Sequence, residues 1–78
     1  MLKADGFDEA IIGQASIWRD KGMHNVLVYD AEKMRSILMK RDGMSPEEAR
    51  EYIEFNVEGA YVGLETPVYV WTEDFMED

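Results

Sequence analysis

The spacing of apolar and polar positions along this chain changes period once, from that of a strand to that of a helix. Between Ala10 and Trp18, AIIGQASIW, one side of an alternating pattern holds Ile11, Ala15 and Ile17, and the other holds Ile12, Gln14, Ser16 and Trp18. That alternation, with its β-branched residues, predicts a strand. Gly13 in its interior predicts a bulge or a close backbone approach. Arg19 to Gly22 is a polar turn, and His24 to Tyr29 is a second β-rich run. Two such runs across so short a loop predict an antiparallel hairpin. From Asp30 onward the period is helical. Asp30 can cap a helix in which Ala31, Met34, Ile37, Leu38 and Arg41 share one side, and Lys40, Arg41 and Gly43 mark its end. Only Asp42 to Ser45 separate it from the next helix, so the two must be neighbours.

That next helix, within Ser45 to Gly63, has the clearest start in the chain. Ser45 can accept from the Glu48 amide, Pro46 suits the first helical position, and Glu48 can reach back to the Ser45 amide. Continued at ~100° per residue, the apolar stripe takes in Ala49, Tyr52, Ile53, Asn56, Val57 and Ala60, centred near Ala49, Ile53, Asn56 and Ala60. Glu47, Glu51, Glu54 and Glu58 fall opposite. Beyond Gly63, Glu65, Thr66 and Pro67 predict a turn, and Val68 to Trp71 a third strand. The acidic tail 72–78 is expected to fray, with Phe75 and Met76 as its anchors. The expected fold is a single α+β domain of order β-β-α-α-β, a three-stranded antiparallel sheet of order 1-2-3 packed on a helical hairpin.

A chain of 78 residues buries about 60% of the surface its unfolded form exposes, and a domain of this size gains from pairing with a copy of itself. A homodimer is therefore expected. With no cysteine, thiolate metal ligands, disulfides and a thiol nucleophile are excluded, and a reducing cytoplasm is the simplest setting. No apolar run approaches a membrane span, and the first residues lack the apolar core of a signal peptide.

Charge is sharply divided. Residues 1–41 hold seven bases and six acids, whereas residues 42–78 hold one base, Arg50, and eleven acids. The total is −9, and direct nucleic-acid binding is disfavoured because it draws on clustered Lys and Arg. The two helices have helix-turn-helix spacing, but a recognition helix this acidic would be repelled by the groove it must enter.

Three constellations remain as binding candidates. Tyr52, Phe55 and Gly59 lie on one flank of the acidic helix with a dent between the rings, either a seat for the first helix or the N-terminal segment or an exposed aromatic patch for a protein partner or a second copy. Glu47, Glu51, Glu54 and Glu58 stand about one turn apart, ~5–6 Å, near the spacing of phosphates, so the row is either a solvated face or a mimic of DNA. Asn56, polar on an apolar stripe, must find hydrogen-bond partners. It is expected to brace a loop or, with Tyr52 and Trp18, to line a pocket for a small molecule such as a nucleotide. His24 stands alone and is expected at the surface. No nucleophile-base-acid set, calcium loop or glycine-rich phosphate loop is present, so no catalytic residue, metal or cofactor is assigned and an enzyme is not expected.

Several runs in the central and C-terminal parts also resemble those of small uncharacterised proteins encoded mainly by bacteriophages. They are Val28-Tyr29-Asp30, Arg41-Asp42-Gly43-Met44, Glu48-Ala49, Glu54-Phe55-Asn56-Val57, Gly59-Ala60-Tyr61-Val62-Gly63 and Thr66-Pro67, within roughly Val26 to Val70. The resemblance implies a phage-type accessory protein and carries no activity or catalytic residues with it. Together with the charge split, it leads to the expectation of a module that binds a host or phage protein, for instance as an inhibitor of a defence system.

Overall fold

The computed structural model describes residues 1–72. After a single 3-10 turn at Asp8–Ala10, strands β1 (Ile11–Arg19) and β2 (Gly22–Asp30) form the expected antiparallel hairpin. The register slips between Ile11 and Gly13, where the glycine predicts a bulge. At the tip, Asp20 and Lys21 both hold positive φ, 47° and 65°, the mirror-image turn whose twist matches that of the strands. Asp20 is among the residues such a turn favours at its first position, but Lys21 stands where glycine is favoured, so the tip carries backbone strain at Lys21.

Helix α1 (Ala31–Asp42) follows without a break. The Asp30 carboxylate accepts from the amides of Glu32 and Lys33 at 3.0 and 3.3 Å, and Gly43 closes the far end at a φ of 69°. Helix α2 (Pro46–Tyr52) opens with the full capping box: the Glu48 amide donates to Ser45 Oγ at 3.1 Å and the Ser45 amide to Glu48 Oε1 at 2.9 Å. The two bonds from Ser45, the backbone one first, stabilise the ionised carboxylate and lower the Glu48 pKa.

From Ile53 the winding widens into a π-helical segment, Ile53–Glu58. In i→i+5 winding a turn takes more than four residues, so side chains four apart come back almost into line. Val57, rather than Asn56, therefore follows Ile53 inward. Asn56 and Ala60, expected at the centre of the buried stripe, are exposed. The apolar stripe ends one turn earlier than α spacing predicts, and residues 59–67 leave the helix altogether.

Those residues also reverse the expected sense of the last strand. β3 (Val68–Val70) pairs with β2 in the order β1-β2-β3 as anticipated, but parallel to it, with Val28 against Val68 and Asp30 against Val70. The sheet is thus mixed and the domain is α+β. The reason lies in a second turn. Arg19 donates to the carbonyls of Leu64 and Thr66 at 2.9 and 3.0 Å and holds the 59–67 segment against the sheet. The Thr66 hydroxyl accepts from the Val62 amide at 2.9 Å and donates to the Gly63 carbonyl at 2.6 Å, closing the turn that sends β3 back along β2. By strand alternation Arg19 shares its face with buried Val26, so this segment and the helices cover opposite faces.

The core is Phe7, Ala10, Tyr29, Met34, Leu38, Ala49 and Ile53. Tyr29 is its hub: its ring stands 5.5 Å from that of Tyr69 and its hydroxyl accepts from the Ala4 amide at 2.8 Å. The expected anchors Phe75 and Met76 lie outside the described residues.

Two substitutions test this local account. Ser45→Ala should cost about 1 kcal/mol in chemical denaturation near neutral pH. The contribution of Glu48, whose folded pKa is lowered, is present above the pKa of the unfolded carboxyl and fades as pH falls through the folded one, so Glu48→Ala should approach the parent's stability in acid. At the hairpin tip, Lys21→Gly should raise stability by about 1 kcal/mol, which is about 4–8 °C in Tm for a domain of this size. An unchanged or lower Tm would contradict the strained turn.

Candidate functional site

The surface of α2 and the π segment divides into three parts. On the first, Glu47 and Glu51 are exposed, and neither forms an ion pair among the described residues. The widened winding brings Phe55 back toward the line of Glu51, and Phe55 is 77% exposed, the most open of the large apolar side chains among the described residues. Glu47, Glu51 and Phe55 thus form one ridge with two unpaired carboxylates and a bare ring.

The second part takes the other half of the expected carboxylate row. Glu54 pairs with Arg50 at 3.3 Å, one turn earlier. Glu58 accepts from the indole nitrogen of Trp71 at 2.6 Å, and the Arg50 guanidinium lies 4.2 Å from the centroid of the Trp71 ring. This cluster ties the π segment to the end of β3. Arg50 and the Trp71 indole hold Glu54 and Glu58 in place, so the row of four carboxylates is a row of two beside a pair engaged by Arg50 and Trp71.

The third part is an open cleft of about 230 Å³ between the N-terminal residues, the π segment and β3. Tyr52 and Asn56, nearly aligned by the π winding, stand on one wall, and Lys3, Asp5, Phe7 and Tyr69 on the others. Burial, with Tyr29 and Glu58 near by, raises the Tyr69 pKa, so its hydroxyl is neutral in the physiological range and can donate a hydrogen bond. Of the trio Asn56, Tyr52 and Trp18, the structure brings the first two together and leaves Trp18 out. Trp18 stands on β1 opposite Met23, near the hairpin tip, and is 68% exposed. Tyr52, Phe55 and Gly59 are all exposed; of the three, Tyr52 lines the cleft and Phe55 and Gly59 do not.

His24 is half-buried on β2, so the expectation of a plain surface histidine holds only in part. A second cleft, about 420 Å³, runs along α1 beside Lys33, Ser36, Lys40 and Arg41. The sequence hinted at it only through lysines seven apart. Among the described residues no group of His, Asp and Glu could hold a metal ion. No family model, curated protein or solved structure matches the chain, so the likeness to phage-encoded proteins rests on the residues that carry it.

The two tryptophans report on these surfaces separately. Trp71→Phe should leave red-shifted emission, from Trp18, that acrylamide quenches readily. Trp18→Phe should leave emission from Trp71 that is bluer and more protected. The reverse pattern would contradict the Arg50–Trp71–Glu58 cluster.

Proposed function

We propose that this chain is a small acidic accessory protein that acts by binding another protein through the Glu47–Glu51–Phe55 ridge, with Tyr52 at its border. The observation that carries the reading is the exposure of Phe55 on a folded helix beside two unpaired carboxylates. A large ring left in water at that position adds nothing to the core, which this segment reaches through Ile53 and Val57. Aromatic anchors ringed by polar groups are what protein interfaces use. The carboxylates select a partner with a basic rim and speed encounter with it. The resemblance to phage-encoded proteins supports a host or phage protein as that partner, and inhibition of a defence system as the outcome.

Mimicry of DNA is the weaker form of this reading, since Glu54 and Glu58 are engaged by Arg50 and Trp71. One observation favours a second reading, the binding of a small molecule or nucleotide: Tyr52 and Asn56 face the same cleft as Tyr69, where an exposed amide and the Tyr69 hydroxyl could recognise polar groups over an apolar floor.

Capture of a partner from a host lysate, repeated with variants, tests the leading reading. Phe55→Glu should abolish capture while circular dichroism stays unchanged. Glu47→Gln with Glu51→Gln should slow association and flatten its salt dependence, with little effect on fold stability. A partner held equally well by all of these proteins would overturn the ridge as the binding surface.

A further inference from the structure

We infer that the outer edge of β1 is a self-pairing surface, through which two copies join antiparallel into a continuous six-stranded sheet. β1 lies at the end of the order β1-β2-β3, and among the described residues nothing pairs with its outer side. Exposed strand edges in monomeric proteins are blunted by charge or proline, yet from Ile11 to Trp18 this edge carries neither. Its one irregularity is the bulge at its beginning, and the length beyond it is free to pair.

The hairpin turn fixes which groups point outward. With only Asp20 and Lys21 between them, Arg19 and Gly22 form a hydrogen-bonded pair, so alternate residues Ile17, Ala15 and Gly13 spend their amides on β2. The amides and carbonyls of Trp18, Ser16 and Gln14 therefore point away from the sheet. All three residues are exposed. These positions are self-complementary: a twofold axis through Ser16 sets Gln14 of one copy against Trp18 of the other, and the ladder closes on itself. Trp18, 68% exposed, then covers the neighbouring strand and lies diagonal to Ile12, itself 56% exposed.

Charge selects a second copy and this end of the molecule. A chain of net charge −9 repels its own copies, but the acid is concentrated in residues 42–78, while residues 1–41 are nearly balanced. Approach through β1 leaves the helices of both copies on one face of the joined sheet but apart, because each copy's helices pack at the β2 and β3 end and not over β1. Approach through the Glu47–Glu51–Phe55 ridge would bring the carboxylates face to face. The inference is independent of the proposed partner-binding role, which uses that other surface.

Sedimentation across a range of concentrations, with amide hydrogen exchange read in parallel, tests this. The parent should pass from monomer to dimer as concentration rises, and the amides of Gln14, Ser16 and Trp18 should become protected as it does. Gln14→Pro keeps the bonds to β2, since that amide faces outward, and should weaken the dimer by about tenfold or more. Ser16→Lys, which sets like charges together at the twofold, should do the same, so the proposal does not rest on one variant's folding. Phe55→Glu should leave the dimer intact. A parent that stays monomeric throughout, or a dimer lost with Phe55→Glu and kept by both edge variants, would overturn the inference.

Discussion

Ile53 has to stay in the core, and the way the helix meets that requirement determines the rest of the surface around it. Ala49 and Ile53 are fully buried one turn apart, packed with Met34 and Leu38 of α1. Beyond Ile53 the side chain of the right size for the core is Val57, and ordinary α winding would swing Asn56 toward it as well. An amide buried there without partners would cost a few kcal/mol. The wider π turn resolves the conflict by returning Val57 to the line of Ile53 and turning Asn56 out to water.

The other placements on that surface follow. The same turn stacks Tyr52 with Asn56 at the cleft, sets Phe55 over Glu51, and aligns Glu58 with Glu54 so that Trp71 and Arg50 can hold both. The proposed binding surface is thus a by-product of a local packing choice. Where the helix solves its core problem, it leaves an aromatic ring and two carboxylates unpaired on one ridge.

Features made by near neighbours were legible in the sequence. The capping box at Ser45 and Glu48, the Asp30 cap, the Gly43 stop, the bulge at Gly13 and the turn at Thr66 each depend on residues within a few positions, whose chemistry is visible in the letters. So was the strand order. The sense of β3 was not, because it rests on Arg19 reaching Leu64 and Thr66 across more than forty residues, and no local pattern announces such a tie. The winding change at Ile53 was illegible for a related reason. IEFNVE suits either winding, and the packing against α1 decides. Asn56 was the one trace of it: a polar residue at the centre of an apolar stripe marks a stripe continued too far. The division of the carboxylate row also waited on a distant residue, Trp71.

The absence of cysteine makes the winding at Ile53 directly measurable, since single cysteines can be introduced without background. Thiol labelling rates of Asn56→Cys, Val57→Cys and Ala60→Cys, measured in the folded protein and normalised to the denatured chain, compare the two windings position by position. The π segment predicts fast labelling at 56 and 60 and slow labelling at 57. Slow labelling at 56 and 60 would mean that the α stripe continues, and the ridge, the cleft and the Trp71 cluster would lose their common cause.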